Sequence, residues 1–192
     1  MVMRGLFPFV VAAVLLCVAL APAFAEEPLS GDALIEDFMM QPETRWRFFT
    51  DQVMGGVSTG GVAFAQEDGH AFARMTGHVS TANRGGFIQM RLELASPPPE
   101  GSTGLRLVVR GNAQRYFVHL RTSGTLLPWQ YYQAGFDVTE SWSEVRLSLD
   151  AFAASGALLR SVPASSSLTS VAVVAYGRDH DAQIDVREVG FY

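Results

Sequence analysis

Alternation of apolar and polar positions dominates the chain beyond Pro42. The clearest stretch runs from Phe87 to Leu94, where Ile88, Met90, Leu92 and Leu94 share one face and Gln89, Arg91 and Glu93 the other. That period of two predicts an antiparallel strand buried on one side and wet on the other. Trp46 and Phe48 alternate with Arg45 and Arg47, and Val145, Leu147 and Leu149 point inward from a strand over Glu144 to Leu149. Ser170 to Tyr176 is apolar almost without a break, which suits a central strand covered on both faces. Further on, Ile184 and Val186 fall one step out of phase with Val189 and Phe191, predicting a β-bulge near Arg187 and Glu188. Leu105 to Arg110 and Tyr116 to Arg121 flank the sequence GNAQ, which reads as a hairpin turn.

Runs rich in Pro, Gly and Ser separate these stretches: ASPPPEGSTG (95–104), SGTLLPW (123–129) and PASSS (163–167). The chain has no convincing internal repeat and no long amphipathic helix. Ser30-Gly31-Asp32 is placed to cap a short helix over Ala33 to Met39, with Leu34, Ile35 and Phe38 facing inward. A further helical turn is expected within Asp150 to Leu159, in a crossover. Many short strands parted by turn signals predict an all-β antiparallel sandwich or barrel of roughly 150 residues. The expected plan is a lead-in over residues 26–41 and a single β-sandwich domain over residues 42–192.

The first 25 residues follow a different pattern. Arg4 precedes an apolar run from Leu6 to Leu20, and Ala23-Phe24-Ala25 closes it before Glu26 and Glu27. That is the order of a secretory signal peptide, residues 1–25, cleaved after Ala25. Pro8 and Pro22 interrupt the segment, and its apolar run is short against the ~20 residues of a helical span. An exported protein is expected, periplasmic or extracellular, with no stable membrane span once the signal is gone. The chain from Glu26 keeps 13 Arg against 19 acidic residues, a net charge of −6. This disfavours nucleic acid as a partner, because neutralising phosphates needs clustered positive charge. The single cysteine, Cys17, lies in the signal, so the exported chain has no thiol for a disulfide, a zinc–thiolate site or a nucleophile. All 14 basic residues are Arg. That rules out a Schiff base, a P-loop lysine and a Ser–Lys pair.

Glycine pairs raise the next question. TDQVMGGVSTGGVAF (50–64) carries Gly55-Gly56 and Gly60-Gly61. A phosphate-binding loop leads from a strand into a helix N-terminus. Here β-formers without helical period follow, and the spacing does not match G-x-G-x-x-G. Gly55-Gly56 instead suits a tight turn beside Met54, with Asp51 placed to accept hydrogen bonds from turn N–H groups. A second stretch, GHVSTANRGGFIQM (77–90), echoes it with Gly85-Gly86 before a strand and Asn83 as a turn residue. Two such corners fit the sharp bends of a jelly roll.

Taken together, Trp46, Asp51, VMGGVS (53–58), GHVST and NRGGF (77–87), GLRLVVRGN with RYFVHLRT (104–122) and Trp142-Ser143-Glu144-Val145 resemble the complex I intermediate-associated protein 30 family. The resemblance runs from about Trp46 to Tyr192. It implies a galactose-binding-like β-sandwich of the jelly-roll type. It also implies a non-catalytic protein without cofactor, related to assembly factors or chaperones of respiratory complex I (NADH:ubiquinone oxidoreductase). The motif residues it marks are Trp46, Asp51, Met54, Gly55, Gly56, Ser58, Asn83, Gly85, Gly86, Phe87, Arg110, Gly111 and Trp142, as structural or binding positions. It further suggests an ion pair between Asp51 and Arg110 near the glycine corners. Asn112 stands where the family often has an acidic residue.

No catalytic constellation accompanies these motifs. His70, His78, His119 and His180 show no metal-ligand spacing, and His119 reads as a sheet-surface residue. Ser58 and Ser80 lack a nucleophile elbow. Asp179 and Asp181 in RDHDAQ form a weak candidate for calcium through carboxylate oxygens, set against a plain solvated loop. The aromatic run PWQYY supplies Trp129, Tyr131 and Tyr132 as a candidate surface for a ligand or partner, since such rings stack on sugars and anchor proteins alike. In an extended segment Trp129 and Tyr131 share a face while Tyr132 faces away. Three functions follow in order: an exported, non-enzymatic protein that binds a protein partner such as a membrane-complex subunit; a carbohydrate-binding module that takes a glycan; and an uncharacterised hydrolase acting through Asp51 or His119.

Overall fold

The alternating stretches become strands in a computed structural model that describes residues 32–192. The signal at residues 1–25 and the cap at Ser30 and Gly31 lie outside the described residues. In chain order the strands are β1 (Ala33–Glu36), β2 (Trp46–Thr50), β3 (Thr59–Glu67), β4 (His70–Val79), β5 (Phe87–Glu93) and β6 (Gly104–Gly111). They continue as β7 (Arg115–Thr122), β8 (Tyr132–Asp137), β9 (Ser143–Ser148), β10 (Ala153–Ala154), β11 (Leu168–Tyr176) and β12 (His180–Phe191).

Two six-stranded sheets result. The first runs β3-β4-β12-β6-β9, with β1 also paired to β12; the second runs β10-β8-β7-β11-β5-β2. All pairings are antiparallel. The fold is an antiparallel β-sandwich. Its core is the inner face of each sheet: Ala73, Met75, Leu107, Val109, Ile184 and Val186 from the first meet Ile88, Met90, Val118, Leu120, Val171 and Val173 from the second. The half-buried β5 has Ile88, Met90 and Leu92 inward. β11 lies between β7 and β5 and is covered on both faces, with even the outward-pointing Ala172 and Val174 buried. A register shift between Val186 and Glu188 is the bulge expected there.

Three local expectations are corrected. Ala33 to Glu36 is a strand rather than the start of a helix, because it pairs with the end of β12 in the register Ala33 to Phe191. Phe38 packs inward at 3% exposure and Ile35 against the core, but Leu34 points to solvent. Glu36 is buried beneath this segment, accepting hydrogen bonds from Trp46 Nε1 (2.8 Å), Arg45 Nη2 (2.9 Å) and the Phe38 N–H (2.7 Å). The helical turn expected within Asp150 to Leu159 is confined to its start, a 3-10 turn over Leu149–Ala151 that leads into β10, and Phe152 anchors it in the core. GNAQ does not close a hairpin. β6 belongs to the first sheet and β7 to the second, so the segment is a corner that carries the chain across the sandwich. Ala113 takes a left-handed φ of 54° there. Asn112 fixes the corner, donating to the Asp181 carbonyl (2.9 Å) and accepting from the Tyr116 hydroxyl (2.6 Å). The Gln183 N–H donates to the same hydroxyl (2.8 Å).

Candidate functional site

The glycine pairs meet at one carboxylate. After β2, Asp51 opens a 3-10 turn, Asp51–Met54, and Gly55 ends it in the left-handed region at φ 90°. The Asp51 side chain is fully buried. Oδ1 accepts the Ser58 N–H (2.9 Å), and Oδ2 accepts the Ser58 hydroxyl (2.5 Å) and the N–H groups of Gly86 (2.5 Å) and Phe87 (3.3 Å). Ser58 Oγ in turn accepts the Ser80 N–H at 3.0 Å. Gly56 and Gly85 have no side chain because one on either would run into the Asp51 carboxylate. Gly86, at φ 128°, accepts the Gly177 N–H on its carbonyl at 2.8 Å. One residue thus ties the crossing from β2 to β3 to the crossing from β4 to β5. Burial pushes the Asp51 carboxyl up, but the hydrogen bonds from Ser58, Gly86 and Phe87 outweigh it and hold it below the usual carboxylate range. The corner still shows an outer surface. Val53, Met54 and Val57 are exposed, as is Asn83 at φ 56°.

Arg110 is not at this knot, so the expected pair with Asp51 does not form. It projects from β6 onto the outer face of the first sheet, where Nε meets Asp185 (2.8 Å) and Nη1 meets Glu67 (2.6 Å). Arg74 holds the same Asp185 with two bonds of 2.7 Å. Burial raises the Asp185 carboxyl, yet the two guanidinium groups outweigh it and bring it below its ordinary value. Trp142 lies between cations, 4.5 Å from the Arg110 guanidinium and 4.9 Å from that of Arg187, and its ring meets Phe72 edge-on. Two cavities open here and share Arg110. One of about 310 Å³ is lined by Arg74, Arg110, Gly111, Asn112, Glu140, Gln183 and Asp185. The other, of about 290 Å³, is lined by Glu67, Asp68, His70, Phe72, Arg110, Trp142 and Arg187. The motif residues therefore fall into two groups, a buried knot and this charged aromatic face. Trp46, 3% exposed, belongs to the core.

The aromatic run divides. Trp129 is 66% exposed, whereas Tyr132 is 2% exposed. Tyr132 is therefore a core residue of β8 rather than part of a surface. Tyr131 lies on the outer face of the second sheet, stacked on His119 with centroids 4.0 Å apart and planes 8° apart. His119 is not an open surface histidine. Tyr131 covers it, and Gln133 Oε1 meets its Nε2 at 2.8 Å. Burial brings the imidazole down to about 4 against a weaker opposing pull from Gln133. Tyr176 closes the group, its hydroxyl 3.4 Å from that of Tyr131. Sequence reasoning missed His119, Gln133 and Tyr176 as a unit, since only strand pairing aligns them.

Asp179 and Asp181 are each engaged by a neighbouring side chain. Asp179 accepts the N–H and hydroxyl of Thr81, both at 2.7 Å, and Asp181 meets His78 at 2.9 Å. Asp181 is in β12, not in a loop. Among the described residues no three His, Cys, Asp or Glu gather as a metal-binding group. No helix among them is long and apolar enough to cross a membrane. The Ser58–Asp51 contact resembles part of a triad, but both residues are fully buried and none of their hydrogen bonds involves a histidine.

A family model described as complex I intermediate-associated protein 30 matches residues 37–178. Among solved structures, the family 11 carbohydrate-binding module of a cellulosomal cellulase of Clostridium thermocellum superposes with a TM-score of 0.68 at 9% identity, covering 84% of this chain and 94% of that one. The same module in complex with a β-1,3-1,4-mixed-linked tetrasaccharide gives 0.67 at 9% identity, covering 84% and 95%. A family 30 carbohydrate-binding module from the same organism gives 0.54 at 11% identity, covering 84% and 96%. At these identities the likeness is one of fold. A search of curated proteins gives no match.

Proposed function

Because the chain belongs to the complex I intermediate-associated protein 30 family, we propose that it is a non-catalytic binding protein of the assembly-factor kind, working outside the cytoplasm on a subunit of a membrane complex. One observation carries this reading: the motif residues Arg110, Gly111 and Trp142 line two adjoining cavities on one face of the sandwich. A tryptophan set between two guanidinium groups is the chemistry on which protein interfaces concentrate their binding energy. The carboxylates around Arg74 and Arg110 hold those cations in place, so the face is presented preformed. Export is supported by the signal-like residues 1–25, and N-terminal sequencing of the protein from a periplasmic fraction is expected to begin at Glu26.

The test is an affinity pull-down from native envelope extract with the wild-type chain and Trp142→Ala. A respiratory or other membrane-complex subunit held by the wild type and lost from the variant supports the reading. Recovery of no specific protein overturns it.

A second reading, carbohydrate binding, is favoured by the outer face of the second sheet, where Tyr131, Tyr176, His119 and Gln133 combine rings with amide and imidazole groups. Retardation in gels containing dissolved polysaccharide tests it.

A further inference from the structure

Resting on that second reading, we propose that the outer face of the second sheet seats an uncharged glycan chain laid along β11, with Tyr131 and Tyr176 as stacking rings and His119 as the residue that positions Tyr131. The strand register sets the shape. Across β5, β11, β7 and β8, Arg91, Ala172, His119 and Gln133 fall in one row, and Gln89, Val174, Phe117 and Gly135 in the next. The middle strand contributes small side chains, while the strands beside it carry long ones. A trough that neighbouring side chains close over follows β11 and ends at Tyr176, which meets both Phe117 and His119 edge-on. Ala172 and Val174 are fully covered although they point away from the core, so the walls lean over the floor. Those walls are long side chains such as Gln89 and Arg91, which part with a change of rotamer rather than of backbone.

Two features identify the ligand class. The first is an unmet hydrogen-bonding group. Ser170, 1% exposed, lies on the floor of the trough, and its hydroxyl has no partner among the described residues. Buried polar groups are nearly always satisfied, so an orphan in a floor calls for an explanation. A sugar hydroxyl both donates and accepts, and it matches such a group. The second feature is charge. Arg91 stands 2.9 Å from Glu93, and Arg121 donates to the carbonyls of Thr125 (3.0 Å) and Leu127 (3.1 Å). The His119 imidazole, buried under Tyr131, is neutral at pH 7. The trough therefore offers rings, amides and a hydroxyl, with the Arg91 guanidinium beside a carboxylate and that of Arg121 taken up by carbonyls, and this suits neutral sugar rings, which stack on aromatic faces. The opposite face of the sandwich, laced with Arg–carboxylate pairs, has the other chemistry.

The experiment is affinity electrophoresis of the chain against dissolved neutral polysaccharides, including a mixed-linked β-1,3-1,4-glucan, with a polyuronate alongside. At least one neutral polymer is expected to retard the wild type. Tyr131→Ala and Tyr176→Ala are each expected to weaken binding by about tenfold or more. Tyr131→Phe, which keeps the ring, and Trp142→Ala, on the other face, are expected to leave it within about threefold. Thermal unfolding of each variant separates lost binding from lost fold, and Tyr176→Ala together with Ser170→Ala, each expected to weaken binding, carries the test if Tyr131→Ala does not fold. Retardation that survives Tyr131→Ala and Tyr176→Ala but is lost in Trp129→Ala moves the site to the loop after β7. That result overturns the trough and leaves the carbohydrate reading intact. Retardation by the polyuronate alone overturns the uncharged class. No retardation by any polymer ends both.

Discussion

Asp51 shows how much a single side chain can hold. It receives two backbone N–H groups from one crossing and a hydroxyl and an N–H from another. Asp51→Ala would leave those donors buried and unanswered, with an expected loss of about 4 kcal/mol in chemical denaturation. A loss below about 1 kcal/mol would mean that water or a shifted loop replaces the carboxylate. The same chemistry sets a pH dependence. The folded Asp51 value is depressed, so its contribution is present above the unfolded value and is lost as pH falls through the folded one. His119 adds to the acid side. Its value drops from 6.5 to about 4 on folding. Above pH 6.5 both states are neutral and the fold keeps its full stability; between pH 6.5 and 4 the unfolded chain takes up the proton first and stability falls. The limiting loss is about 3 kcal/mol. Unfolding midpoints of the wild type and His119→Gln, measured between pH 7 and pH 4, are expected to diverge over that window, with the wild type falling faster.

At the scale of elements, what could be read in the chain depended on whether the cause was local. β5, β9 and the bulge in β12 were visible because burial on one face writes period two into the residues themselves. The corner at GNAQ was not, since two strands that pair and two strands in opposite sheets carry the same alternation. β1 was misread because Leu34 and Phe38 fit a helical spacing, and only its partner strand decides otherwise. The glycine motif gave Asp51, Gly56 and Gly85 as important positions. It did not reveal that a carboxylate sits between two crossings, because Asp51 and Gly86 are 35 residues apart and contact is set by topology. The trough over β11 was invisible for the same reason. Gly60 and Gly77 are paired across β3 and β4. A side chain on Gly77 would come within 2.8 Å of Gly60 Cα and Ile88 Cδ1. Gly77→Ala is expected to cost about 2 kcal/mol by overpacking, seen as a lower urea midpoint at unchanged slope.

For the molecule as a whole, stability rests on the core between the sheets. The chain from Glu26 has no cysteine, so its thermal midpoint is expected to be the same with and without reductant. Adding calcium or a chelator is likewise expected to leave it unchanged, since Asp179 and Asp181 are engaged by Thr81 and His78. A chelator-induced fall of several degrees would reveal a bound ion. The strands pair across long sequence separations, as β1 with β12 and β4 with β12 show. Folding on the scale of ~milliseconds to seconds is therefore expected in stopped-flow measurements, slower than for helical domains of this size.

The pairing of Ala33 with Phe191 brings the two ends of the described chain side by side on the first sheet. A circularly permuted version, joined there by a short linker and reopened in the Pro97–Pro99 segment, would keep every strand pair while changing the order in which they are made. Such neighbouring ends also let the sandwich be set into a surface loop of a host protein without stretching either, so both outer sheet faces can be carried to a chosen place.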